Sequence, residues 1–106
     1  MIFRIEYSES ARQDLRDIYE YMTINLLASY IAAEQVRRIM ENIRSLEQMP
    51  NRNPLYHSEP WRSKGYRFML VNKYMVFYYT DNKLKIVYIV RILYGGRDIS
   101  KCLTKD

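Results

Sequence analysis

Three runs decide the fold: Tyr66-Arg67-Phe68-Met69-Leu70-Val71, Tyr74-Met75-Val76-Phe77-Tyr78-Tyr79 and Leu84-Lys85-Ile86-Val87-Tyr88-Ile89-Val90-Arg91-Ile92-Leu93-Tyr94. Each is rich in β-branched and aromatic residues, which suit a pleated, half-buried surface. Asn72-Lys73 offers a two-residue hairpin turn between the first two, and Asp81-Asn82-Lys83 turns the chain into the third. Strict alternation along the third puts Leu84, Ile86, Tyr88, Val90 and Ile92 on one face. Lys85, Val87, Ile89, Arg91 and Leu93 take the other. Gly95-Gly96 ends the strand, leaving Arg97–Asp106 as a short tail. Three strands linked this tightly predict an antiparallel meander.

Upstream, the period changes. Phe3, Ile5 and Tyr7 alternate with Arg4 and Glu6, predicting a short first strand. Ser8 or Ser10 can then cap a helix, with Gln13 three residues after Ser10 at capping-box spacing. Ala11, Leu15, Ile18, Tyr19 and Met22 recur at helical spacing, and the pattern loosens at Thr23–Asn25. Asp14, Asp17 and Glu20, among Arg12 and Arg16, are expected on the water-facing side of this helix. A second stripe, Ala33, Val36, Ile39, Met40, Ile43 and Leu46, predicts a longer helix that must stop by Pro50. Residues 51–64 lack periodicity and hold Pro54 and Pro60, as a loop does. The order strand, helix, helix, strand, strand, strand predicts an α+β domain spanning residues 1–106. A helical hairpin packs on one face of an antiparallel sheet, and the other face stays partly open.

Composition narrows the function. Of 106 residues 48% are apolar and 27% charged, with three Gly and three Pro, which is globular rather than disordered usage. No apolar run approaches the ~18–20 residues of a membrane span, and the charged N-terminal stretch is unlike a secretion signal. One Cys, Cys102, cannot form an intrachain disulfide, which fits a reducing cytoplasm. One Cys and one His cannot build a zinc cage, so no metal or cofactor is expected. Residues 1–51 hold six basic and eight acidic side chains, a net of −2; residues 52–106 hold eleven and four, a net of +7. That asymmetry points to a negatively charged partner for the second half.

The candidate functional groups follow from this. Arg67, Arg91 and Arg97, with Arg62, Lys64, Lys73 and Lys85, are expected to form a basic sheet face, where guanidinium groups grip phosphate or carboxylate bidentately. Six of the eleven tyrosines fall between Tyr66 and Tyr94, and most suit strand packing. His57 lies in the loop without a nucleophile at a diagnostic spacing, and no carboxylate pair has catalytic spacing. Gly95-Gly96 lacks the spacing and following helix of a phosphate loop.

Taken in order, the residues resemble the RelE/ParE toxin superfamily. The resemblance is carried by Ser8-x-x-Ala11-x-x-Asp14-Leu15-x-x-Ile18-x-x-Tyr21, then Ala32-Ala33, Ile43-x-x-Leu46-x-x-x-Pro50, and the run Val71–Tyr78. The ending Val90-Arg91-Ile92-Leu93-Tyr94-Gly95-Gly96-Arg97-Asp98-Ile99 completes it. The resemblance implies a βααβββ toxin of a type II toxin–antitoxin pair, neutralised by a segment of its cognate antitoxin. Its RelE-like members are ribosome-dependent mRNA endoribonucleases; its ParE-like members poison DNA gyrase without nuclease chemistry.

Gly65-Tyr66-Arg67 resembles a RelE segment, but Met75 stands where RelE carries a catalytic Arg. Leu103 occupies the place of a C-terminal Tyr, and Tyr94 that of a His. Arg97 matches. The long second helix also resembles the ParE hairpin, so the plasmid-stabilisation branch is expected. Arg67, Arg91, Tyr94 and Arg97 are then expected to contact gyrase, or to form the catalytic site should the chain be RelE-like. Leu15, Tyr19, Val36 and Met40 are expected to line the antitoxin groove, since apolar anchors at helical spacing suit a docked helix. A non-toxic basic binding module is the remaining alternative.

Overall fold

The computed structural model describes residues 2–25, 27–95, 99 and 103. Strand β1 (Arg4–Tyr7) leads into α1 (Glu9–Glu20), one wider turn of π-helix at Tyr21–Asn25, and α2 (Ser29–Arg44). Short 3₁₀ turns at Ser45–Glu47 and Pro50–Arg52 precede β2 (Arg67–Val71), β3 (Tyr74–Asp81) and β4 (Ile86–Tyr94). The sheet order is β1-β4-β3-β2. The meander β2–β3–β4 is antiparallel as expected, whereas β1 runs parallel to β4, so the sheet is mixed. The hairpin α1–α2 is the long crossover that such a parallel pairing requires.

Ser8 joins these elements. Its side chain caps α1 by accepting from Ala11 N at 2.9 Å, and its hydroxyl donates to the Val90 carbonyl at 2.7 Å. The cap is thus made by Ser8 rather than by a Ser10–Gln13 box. Val90 is the extra residue of a β-bulge: Phe77 pairs with Arg91 and Tyr78 with Ile89. A bulge interrupts alternation, so Ile89 and Ile92 both enter the helix-side core while Val90 and Leu93 pack on the opposite face. The expected faces of β4 therefore hold only up to the bulge. Residue Leu84 lies before the strand, which begins after Lys85 at φ +57°.

Ala11, Ile39, Ile43, Leu46, Val76, Tyr78, Val87 and Ile92 form the main core between helices and sheet. The other sheet face is more covered than the sequence suggests. Tyr56 and Trp61 of the loop before β2, together with Leu103, close over Phe77 and Leu93 in a second core. On the same face Tyr66, Tyr79 and Tyr88 stack side by side, with centroid spacings of 5.8 and 5.0 Å.

Tyr78, fully buried, ties the irregular loop to the core. Its hydroxyl donates to the Pro50 carbonyl at 2.6 Å and accepts from Asn53 Nδ2 at 2.9 Å. Burial pushes this phenol above its ordinary pKa, partly opposed by the Asn53 bond and by Arg67 and Arg52. Tyr78→Phe leaves a buried carbonyl unpaired and is expected to cost about 1–2 kcal/mol in urea unfolding.

Candidate functional site

Two concavities flank the helical hairpin. The first, about 590 Å³, lies between β1 and the helices, walled by Ile5, Tyr7, Tyr19, Val36, Met40 and Ile43. Amphipathic helices on a short sheet leave part of their apolar stripes uncovered, and this groove is that remainder. Its rim carries Arg37, Glu41, Arg44 and Glu47. Arg37 is held by Glu34 at 2.8 Å and by Glu41, so the rim is largely self-neutralised. Tyr19, Val36 and Met40, three of the four residues expected to line an antitoxin groove, come together here. Leu15 packs against the helix-side core and is not part of this lining.

The second concavity, about 820 Å³, opens where α1 ends beside the β2–β3 turn. Ile18, Tyr21, Met22, Tyr74, Ile92 and Tyr94 supply its apolar and aromatic wall, with Asp14, Asp17, Gln35, Asn72 and Lys73 adding polar groups. Tyr74 and Tyr94 meet edge to face at 5.9 Å. Desolvation, reinforced by Tyr94 and Tyr21, raises the Tyr74 pKa, so its phenol stays protonated at neutral pH and is no base. Gly95 sits where a Cβ would approach the Lys73 carbonyl to 3.3 Å; its N–H donates to that oxygen at 2.8 Å, pinning the end of β4 to the turn.

Among the described residues the basic sheet face expected from the sequence does not form. Arg91, whose side chain is 13% exposed, turns toward α1 and is gripped by Asp14 through Nε at 2.8 Å and Nη2 at 2.9 Å. Asp14, expected on the water side, is instead buried and also accepts from Ile92 N at 2.9 Å. The bulge explains the pairing, because it turns Arg91 and the Ile92 N–H toward the same carboxylate. Arg67 shares the face of Met69 and Val71 and donates to the Asn53 carbonyl at 2.6 Å. Lys85 lies over the Phe3 ring at 5.2 Å. Arg62 and Lys64 are exposed on the loop, and Lys73 on the turn.

Arg67 and Tyr94 are also far apart along the sheet. Tyr94 pairs with Tyr74, which pairs with Val71, four residues or ~13 Å along β2 from Arg67. Arg97 and Cys102 lie outside the described residues. His57 is exposed beside the Tyr56 ring at 4.6 Å. Among the described residues no group of three His, Cys, Asp or Glu side chains is placed to hold a metal ion, and no helix is long and apolar enough to cross a membrane. Sequence reading missed Asp14, Tyr21, Gln35 and Tyr74. The signal available for the second concavity was the charge-free run between the two amphipathic stripes.

No curated protein matches the chain in sequence. In fold it is similar to the chromosomal ParDE TA system from P. aeruginosa, at TM-score 0.71 and 23% identity over 88% of this chain and 96% of that one. It is also similar to the RelBE toxin–antitoxin complex from Mycobacterium tuberculosis (0.66; 17%; 89% and 92%) and the archaeal RelE–RelB complex from Pyrococcus horikoshii (0.61; 16%; 92% and 99%). At these identities the likeness is one of fold. The sequence itself matches, over residues 5–99, the family model of the ParE toxin of the type II toxin–antitoxin system parDE. With its helical hairpin on a mixed four-stranded sheet and nearly its whole length inside that match, the chain belongs to the ParE toxin family.

Proposed function

We propose that this protein is a cytoplasmic toxin that arrests bacterial growth by binding and poisoning DNA gyrase, and that a segment of its cognate antitoxin silences it from the groove between β1 and the helices. The observation that carries the choice of target is the fate of the arginines. A ribonuclease centre needs cationic and proton-transferring groups converging on one phosphate. Here Arg91 is committed to Asp14, Arg67 to the Asn53 carbonyl, and Tyr94 stands at the far end of the sheet. Among the described residues no such centre is assembled, which favours inhibition by binding. The groove suits an amphipathic helix: an apolar floor at helical spacing with a self-neutralised rim.

Pulse labelling minutes after induction without antitoxin tests the target. DNA synthesis is expected to fall ahead of protein synthesis. Protein synthesis collapsing first would instead bring Arg67, Arg91, Tyr94 and Arg97 into a ribosome-dependent nuclease.

A further inference from the structure

The charges around the groove between β1 and the helices fall into two groups. Glu34, Arg37 and Glu41 form one chain of contacts, with Arg37 bonded to both carboxylates. Arg44 and Glu47 line the same groove, and among the described residues their side chains have no ion-pair or hydrogen-bond partner. Glu41, the carboxylate one turn before Arg44, is already taken by Arg37. Glu47 lies beyond the end of α2, in the 3₁₀ turn, where its carbonyl accepts from Phe3 N at 2.8 Å and fixes it beside β1. Arg44 is exposed and Glu47 half-buried.

The floor of the groove is apolar, with Ile5, Tyr7, Val36, Met40 and Ile43. A segment seated on that floor covers Arg44 and Glu47 in part, and a charge that loses water without gaining a partner weakens binding. A wholly uncharged segment meets that penalty at this end of the groove. One that brings a carboxylate to Arg44 and a cation to Glu47 removes it. One with the two signs exchanged sets like charges against each other. Since Arg44 and Glu47 are three residues apart, two side chains three or four apart on a docked helix match them. A second copy of this chain is the wrong shape for the site. Across a two-fold axis the groove would face itself, and two concavities enclose a void.

We infer that the antitoxin segment seated here carries an acidic side chain opposite Arg44 and a basic one opposite Glu47, three or four residues apart, and that these two contacts distinguish the cognate antitoxin from others. The inference rests on the reading of this groove as the antitoxin's site and adds the charge pattern that the apolar floor leaves open.

Charge reversal tests it, with the full toxin chain and the antitoxin encoded by the neighbouring gene. Arg44→Glu should weaken binding about tenfold in calorimetric titration, because lost attraction and new repulsion add. Each acidic residue of the antitoxin is then changed to Lys in turn. One such variant should bring the affinity for Arg44→Glu back to within threefold of the parent pair, while binding the parent toxin more weakly. Glu47→Lys should behave in mirror image toward basic-to-Glu variants of the antitoxin, and the two rescuing positions should lie three or four residues apart. Arg44 also suits the C-terminal end of the α2 dipole, so circular dichroism checks the fold and Arg44→Gln supplies a milder variant, expected to bind about threefold more weakly. Growth inhibition without antitoxin should equal the parent's throughout.

Binding within twofold of the parent by folded Arg44→Glu or Glu47→Lys overturns the inference, as does a loss that no charge reversal in the antitoxin repairs. Loss of growth inhibition in the folded variants would assign this rim to the target, and a change in the sedimenting species of the toxin alone would assign it to a second copy; either overturns the inference. Val36→Glu binding the antitoxin as tightly as the parent would fail the reading of the groove, and the inference with it. A parent protein that neither halts growth nor binds that antitoxin would fail the toxin reading itself.

Discussion

Asp14→Ala is expected to lower the unfolding free energy by about 3–5 kcal/mol, the range for removing one partner of a buried ion pair. The variant takes the carboxylate away from a largely buried guanidinium and from the buried Ile92 N–H together, since Asp14 serves both. Folded domains have about 5–15 kcal/mol in total, so the loss is a large fraction of the stability. Urea unfolding followed by circular dichroism measures it. Arg91→Met should cost less, because the remaining carboxylate keeps the Ile92 bond, and Asp14→Ala/Arg91→Met should recover part of the loss. A double variant as unstable as Asp14→Ala alone would show that the backbone bond, rather than the ion pair, dominates. Should Arg91 act as a target-binding group instead, Arg91→Met would abolish growth inhibition in a chain that still folds.

Val36→Glu and Met40→Glu are expected to weaken antitoxin binding by at least a hundredfold while leaving growth inhibition intact. Both side chains line the groove, and Met40 is exposed in the free toxin, so a carboxylate there remains hydrated until a partner arrives. Docking an apolar helix over it then buries an unpaired charge, which costs several kcal/mol. Calorimetric titration with the antitoxin gives the affinity, and co-expression gives the physiological result: the antitoxin no longer rescues growth. Leu15→Ala should behave differently. Leu15 packs on the core, so its loss should destabilise the toxin by about 2–5 kcal/mol, in proportion to its partial burial, without singling out antitoxin binding.

These two cases show where the sequence was informative. The apolar stripes of α1 and α2 follow a period that the helix imposes, and the residues left over after core packing, Tyr19, Val36 and Met40, gather in the groove. Element order and the β2–β3–β4 meander were legible for the same reason: alternation and turn chemistry are local. Asp14 was not legible, because a carboxylate among Arg12 and Arg16 reads as ordinary helix-surface pairing, and its true partner lies 77 residues away. The bulge at Val90 carries no mark in a run of alternating apolar residues, yet it turns Arg91 toward α1. Nor does periodicity report Tyr56 and Trp61, whose irregular loop folds back across the sheet. Parallel pairing of β1 with β4 depends on the crossover as a whole, which no local pattern encodes.

That pairing has a consequence during synthesis. Arg4 of β1 aligns with Ile86 of β4 and Tyr7 with Ile89, about eighty residues later. A ribosome must therefore add about eighty more residues before the first strand has a neighbouring strand to bond, and closing so long a loop favours late assembly of this edge. Ile5 and Tyr7 form one wall of the groove between β1 and the helices. If the antitoxin docks there as proposed, the nascent toxin offers it no complete groove until β4 has emerged, and neutralisation is expected to act on the folded chain rather than on the one still being translated.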